Sequence, residues 1–508
     1  MSVRLTRSAA ICALLASSLL LSACGLKQEQ KDALSQQQNG VLTAAGQYET
    51  PGSAGTPGLA GKTGSGQAAV GAPGTGGAVG GVPGLPGTPG TTGTAGVKGG
   101  APGVAGAGSN GVGGASGPGG AAASAAGKCQ SVAGDQSTGV TASTINIGIH
   151  APQTGTGAPL PPSFADGAAV YWKTHKICGR TVNVDFQDDK YTPPTARQVC
   201  EPMSRRDFLL IGAAGTDQIQ SCATDNAIAG PGVPYLSAGV TTNGLDNLPH
   251  YFAFSLTYAQ QSALVLKNAV NQGYAKGHWA VITSRTDNFK DARESMVGVL
   301  TGAAGKAAGV TFDPSQDNIQ VDATNDSNLQ SRALQTGALL ATRRYDVVYV
   351  DTSPGYFVYM SQGASKQGFM GQYTGPGVTM TEVTVAQLIC NGNSTIKANF
   401  LAPFPGIDRA TDEFKAATGG KYDDIYWSLW GLSQSLDQAF QASSNLTRAG
   451  FISSLKDTTL AGGTYAPSKF AGQHFGGTGA YSQTVNCTQI EPNQTQPGQW
   501  NTLGDMIS

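Results

Sequence analysis

From about Gln36 to Lys128 the chain is built almost entirely of Gly, Ala, Pro, Thr and Ser. So few large apolar side chains cannot offset the entropy of ordering a backbone, and this stretch builds no core. Within it Gly81, Gly84, Gly87, Gly90, Gly93, Gly96 and Gly99 recur at period three, as do the glycines from Gly52 to Gly64 and from Gly108 to Gly120. That is the triplet of the collagen helix, whose axis admits only glycine. The phase slips at Gly64/Gly66, Gly80/Gly81 and Gly106/Gly108, and short out-of-phase runs wind poorly. A flexible spacer is the expectation, with trimerisation as the alternative. Roughly 100 residues of such a coil reach about 55 Å end to end. The spacer also holds much of the chain's glycine, 72 residues in 508, and dilutes its charge to 12%. A formal net charge of −1 gives no basic surface for nucleic acid.

Residues 1–23 read as an export signal. Arg4 and Arg7 form the basic start, and Ala9 to Leu21 an apolar run too short to span a bilayer comfortably. Leu21-Ser22-Ala23-Cys24 resembles the lipobox of bacterial lipoproteins. That resemblance implies lipidation of Cys24 and a protein tethered to the outer face of a membrane, at the cell surface or in the periplasm. Residues 24–135 are then the tether.

Beyond it the pattern is α/β. The β-branched run Thr144 to Ile149 precedes a helix over Phe164 to Lys173, and Thr181 to Phe186 alternates before Gln187-Asp188-Asp189. A helix at Thr195 to Arg206, a strand at Phe208 to Ile211, a helix at Asp217 to Ala229 and a strand at Val233 to Ser237 follow. After Phe254 the alternation restarts: helix Tyr258 to Gln272, strand Trp279 to Thr283, helix Asp291 to Ala304, strand Gly309 to Phe312, helix Asp326 to Ala341, strand Tyr345 to Val350 and helix Gly355 to Gln367. Strands alternating with helices predict parallel sheets with ligand sites at the C-terminal strand ends. Two series of such units predict two lobes.

Ile145-Asn146-Ile147-Gly148, Ile211-Gly212-Ala213-Ala214, Gly232-Val233-Pro234-Tyr235, Tyr251-Phe252-Ala253-Phe254 and Tyr345-Asp346-Val347-Val348 occur in the order and spacing of a type 1 periplasmic binding protein. Residues Ser143 to Asn486 resemble its Leu/Ile/Val-binding branch, the extracytoplasmic receptors of ABC importers. The resemblance implies two Rossmann-like lobes, hinge crossings near Phe254 to Thr257, Thr379 to Val385 and Ser453 to Thr459, and a ligand in the cleft. Lobe 1 is then 143–255 plus about 381–455, and lobe 2 about 256–380 plus 456–508. The helix Ile425 to Phe440 returns to lobe 1, its aromatics at core spacing. The implied partners are a small polar or carboxylate-bearing solute, an amino acid or a relative of one, with an ABC permease and its ATPase. No cofactor and no nucleic acid enter, and the chain is expected to be monomeric. A sensory receptor of the same fold and a collagen-like surface structural protein are the alternatives.

The family's carboxylate-binding hydroxyls match Thr216 and Thr241, and its ammonium-binding carbonyl matches Gly239. The loop Gly212 to Asp217 opens a helix, so its N–H groups suit an anion, or Thr216 or Asp217 serves simply as a helix cap. Ser237, Tyr258 and Tyr356 complete the candidate set. Three departures weaken an α-amino acid assignment. The acidic residue expected after Gly375-Pro376 is Gly377, one expected tyrosine is Ser353, and the other falls near Asn288 or Phe289.

With Cys12 in the signal and Cys24 lipidated, Cys129, Cys178, Cys200, Cys222, Cys390 and Cys487 remain. An even number in an exported chain favours disulfides. Cys200 and Cys222 sit on the helices flanking the strand Phe208 to Ile211 and are expected to pair. Cys129–Cys178 and Cys390–Cys487 follow by elimination. No Cys-x-x-Cys or His-x-x-x-His spacing suggests zinc, and Asp188-Asp189 and Asp322 to Asp326 read as solvated strand ends and helix caps rather than calcium ligands. The scattered His150, His175, His250, His278 and His474 suggest no catalytic motif.

Overall fold

The computed structural model describes residues 138–154, 163–238 and 241–508. The export signal, the glycine-rich tether with Cys24 and Cys129, and Gly239 lie outside the described residues.

Strands β1 (Thr144–Ala151), β2 (Thr181–Asp188), β3 (Leu209–Gly212), β4 (Tyr235–Ser237) and β5 (Tyr251–Ala253) form one sheet in the order β2-β1-β3-β4-β5. All its pairings are parallel. Side chains alternate across it: Leu209, Ile211, Leu236 and Phe252 enter one core, and Leu210, Tyr235 and Tyr251 another. Helix α1 (Ser163–Val170) covers the first face, and α2 (Pro193–Arg206) with α3 (Thr216–Ala223) covers the second. Burial on both faces is why these strands read as unbroken apolar runs.

The chain leaves this sheet through Phe254 to Thr257. Helix α4 (Tyr258–Asn271) opens there on a capping box, in which Thr257 and Gln260 satisfy each other's backbone N–H groups. The second sheet comprises β6 (Gly277–Ser284), β7 (Val310–Thr311), β8 (Asn318–Val321), β9 (Val347–Asp351), β10 (Gln372–Pro376) and β11 (Lys397–Ala402), all parallel. Helices α5 (Lys290–Thr301), α6 (Leu329–Arg343), α7 (Pro354–Lys366) and α8 (Val383–Cys390) pack with α4 around it. Helix α9 (Asp424–Ala442) then packs on α1, and its Trp427, Leu429, Trp430, Leu432 and Leu436 are core residues of the first lobe. Helix α10 (Arg448–Asp457) adds Phe451 and Leu455 to the same core. A short pair β12 (Thr459–Leu460) and β13 (Ser468–Lys469) precedes the antiparallel β14 (Ala480–Asn486) and β15 (Gln499–Ile507), which extend the second sheet beyond β11.

Two crossings fall later than expected. β11 pairs with β10 and β14, so the chain stays in the second sheet through Ala402 and crosses only before α9, not at 379–385. Phe470 still belongs to the first core, so the return to β14 follows Phe470 rather than 453–459. There the first and third crossings touch: Gly477 N–H donates to Ser255 O at 3.3 Å. A Cβ on Gly477 would stand 2.3 Å from the Ser255 carbonyl carbon, so only glycine permits this approach.

Disulfides join Cys200 of α2 to Cys222 of α3, and Cys390 at the end of α8 to Cys487 just after β14. Cys178 is disulfide-bonded as well, and its expected partner Cys129 lies outside the described residues.

Candidate functional site

The C-terminal strand ends of both sheets face one cavity, as the rule for open parallel sheets requires. The first lobe contributes Tyr191 after β2, Ala213 to Thr216 after β3, Ile219, and Ala238 after β4. The second contributes Tyr258, Phe289, Asp351 and Thr352 at the end of β9, and Pro376 to Met380 at the end of β10, where Gly377 alone stays out of the lining. The centres of water-sized molecules can range over about 40 Å³ inside it.

Its polar groups are mostly hydroxyls. Thr216 Oγ1 and Tyr258 OH are hydrogen-bonded at 3.1 Å. Asp351 is 5% exposed, and its Oδ2 has no hydrogen-bond partner. Burial, joined by the charge of Asp291, pushes this carboxyl well above the usual range.

Tyr191 is held in place from behind. Lys190 and Tyr191 have φ of +53° and +56°, a left-handed conformation unusual for such residues. Asp188 Oδ1 accepts Lys190 N–H and Asp189 Oδ1 accepts Tyr191 N–H, both at 2.9 Å. Asp189 is not a solvated strand end: it is wholly buried, with Oδ2 2.8 Å from His150 Nδ1, and His150 Nε2 bonds in turn to Tyr235 OH. This buried chain fixes the turn that carries Tyr191 to the cavity. His150 also lies within 4.8 Å of the Cys200 and Cys222 sulfurs, which are spent on their disulfide. Asp322 and Asp326 remain exposed turn formers, accepting from Thr324 N–H and Asn328 N–H.

The lobes are latched across the cavity mouth. Asp217 Oδ1 accepts from Asn288 Nδ2 at 2.6 Å and from Thr286 Oγ1 at 3.1 Å. Thr242 N–H donates to Asp291 Oδ2 at 2.8 Å, and Asn243 Nδ2 donates to Asn288 Oδ1 at 2.7 Å. Burial raises the carboxyls of both Asp217 and Asp291, while these hydrogen bonds pull them back down.

Of the residues expected at the ligand, Thr216 and Tyr258 line the cavity, and Asn288 serves the latch. Thr241 does not line it: its Oγ1 accepts Asn243 N–H at 3.1 Å and shapes the turn that reaches Asn288. Ser237 is buried against Tyr251 OH at 2.7 Å, because its side chain points to the second face of the first sheet. Ser353 caps α7, its Oγ accepting Tyr356 N–H. Tyr356 turns into the second lobe's core, its OH 2.7 Å from Thr336 Oγ1. Gly377 packs against the Leu401 carbonyl, where a Cβ would come within 2.9 Å. The missed residues are Tyr191, Asp351, Thr352, Val378, Thr379 and Met380. Asp351 carried a legible signal, as the polar residue ending a parallel strand; Tyr191 carried none, since its placement depends on buried partners distant in sequence.

The sequence profile of the periplasmic binding protein family matches residues 144–494. The chain belongs to this family. A comparison with curated proteins finds no match. Solved structures of similar fold include a fatty acid ABC transporter substrate-binding protein from Thermomonospora curvata, with 16% identity, TM-score 0.57, and coverage of 73% of this chain and 94% of that one. A solute binding protein of an ABC transporter from Rhodopseudomonas palustris BisB5, in complex with 3,4-dihydroxybenzoic acid, has 16% identity, TM-score 0.56, and coverage of 72% and 97%. A possible leucine/isoleucine/valine-binding protein from Rhodopirellula baltica SH 1 has 13% identity, TM-score 0.56, and coverage of 72% and 98%. At such identities these likenesses speak for the fold of this periplasmic binding protein and not for its ligand.

Proposed function

We propose that this periplasmic binding protein is the solute receptor of an ABC importer, capturing a small molecule between its lobes and presenting it to a permease and its ATPase. The observation that carries the reading is a cavity walled by both lobes, with hydrogen bonds across its mouth. Such a site rewards closure, because contacts from both sides form only when the lobes meet. Tyr191, Thr216, Tyr258 and Asp351 are the contacts assigned to the ligand, and Asn288 the closure residue. Cys24 is assigned as the lipid anchor, with the glycine-rich segment giving a monomeric domain its reach from the membrane.

Carboxylate ligands, as in the relatives named for fatty acid and dihydroxybenzoic acid, are not carried over. Among the described residues no Lys, Arg or His lines the cavity, so a carboxylate would have only hydroxyl and backbone N–H donors such as those of Thr216, with the buried Asp351 in the same cavity. The branched-chain amino acid assignment is weakened too, since Gly377 stands where the resemblance calls for an acid. A thermal-shift screen of the full chain over amino acids, amides, organic acids, amines and sugars tests the reading. A concentration-dependent rise in Tm that is reduced in Thr216→Val and Tyr258→Phe supports it. No rise across the panel contradicts it.

A further inference from the structure

The cleft has a second, deeper compartment. Phe164, Phe404, Ile425 and Leu432 wall it together with the buried carboxyls of Glu382 and Asp424, and it shares Ala213, Ala238 and Val378 with the first. The two are therefore one cleft with an apolar waist, one buried carboxyl in the first compartment and two in the second. Asp351 stands in the first compartment with Oδ2 unpartnered. Glu382 stands in the second, 4% exposed, with Oε2 unpartnered. It occupies the N-cap position of α8, yet its side chain makes no capping bond. Among the described residues no Lys, Arg or His lines either compartment. Buried carboxyl oxygens without partners are costly to keep, and this cleft keeps them on Asp351, Glu382 and Asp424.

We propose that the cleft recognises an organic dication, an α,ω-diamine whose ammonium groups meet Asp351 and Glu382 while its methylenes lie along Ala213, Ala238 and Val378. The inference rests on the receptor reading above. Each ammonium gives an unpartnered carboxyl oxygen, Asp351 Oδ2 or Glu382 Oε2, a charge-assisted hydrogen bond, and the methylene chain lies along the apolar waist. Burial raises both carboxyls well above the usual range, joined by Asp291 near Asp351, where a hydrogen bond with Tyr258 opposes it, and by Asp424 and Asp423 near Glu382. An entering dication therefore releases protons as it pairs with these carboxyls.

The test is a thermal-shift and calorimetric titration of the full chain with putrescine, cadaverine and hexamethylenediamine, against butylamine, benzoate and leucine. At least one diamine is expected to raise Tm with concentration and to bind about tenfold or more tightly than butylamine. Asp351→Asn and Glu382→Gln keep side-chain shape and are each expected to reduce that preference to the butylamine level. Either variant alone suffices if the other fails to fold. Diamines that do not bind, or that bind equally to wild type and both variants, overturn the assignment. Binding of benzoate or leucine in their place overturns it as well while leaving the receptor reading standing.

Discussion

The Asn288 amide in the second lobe donates to the Asp217 carboxylate in the first at 2.6 Å, across the mouth of the ligand cavity. Asn288 also accepts from Asn243, so one side chain holds two points of the opposite lobe. Asn288→Ala removes both bonds and shifts the population toward an open form. Hydrogen bonds to charged groups contribute about 1.5–3 kcal/mol, so solute affinity is expected to fall about tenfold or more. Small-angle scattering of the ligand-free variant should give a larger radius of gyration; unchanged radius and affinity would remove the latch.

The buried chain Tyr235–His150–Asp189 supports the left-handed turn at Tyr191. Asp189→Ala leaves His150 and the Tyr191 N–H without that partner, and a loss of roughly 3 kcal/mol in denaturant unfolding is expected. Solute affinity falls with it, because Tyr191 leaves the cavity wall. A stable variant with full affinity would show that the turn holds itself.

Stability should decline as pH rises from about 4 to 7. Burial and the charge of Asp185 push the Asp207 carboxyl up to about 7, against the opposing pull of Arg206 and Arg448. The folded chain therefore keeps a proton that the unfolded chain releases above its ordinary value of 3.8. A raised acid contributes stability that is present at low pH and lost as pH climbs through the folded value. In thermal unfolding Asp207→Asn should flatten the fall between those limits. A wild-type Tm rising over this range, or an identical slope in the variant, goes against it.

The α/β alternation was legible because strands buried on both faces are short β-branched runs and the intervening helices are amphipathic. The candidate loop at Thr216 was legible for the same reason, since it joins a strand to a helix. Less was legible where position depends on pairing. β14 and β15 carry polar residues through a sheet edge, and β11 reads like any apolar segment, so the second and third crossings fall later than the pattern suggested. Ser353 and Tyr356 lie at the end of the correct strand, but one caps a helix and the other fills a core. Tyr191 reaches the cavity through a strained turn that no local periodicity announces.

The Cys200–Cys222 disulfide pins α2 to α3, the helix that opens at Thr216. Its residues are 22 apart, and loss of a cross-link of that span costs about 3 kcal/mol. The double Cys→Ser variant should melt several degrees lower and still bind solute when folded. An unchanged Tm would mean that packing alone holds the two helices.

Hydrogen exchange of the full chain, with and without the solute that stabilises it most, tests two-lobed capture most directly. Protection is predicted in 213–217 of the first lobe and, together with it, in 286–291, 351–352 and 376–382 of the second. Protection confined to one lobe, or absent from these segments, would contradict it.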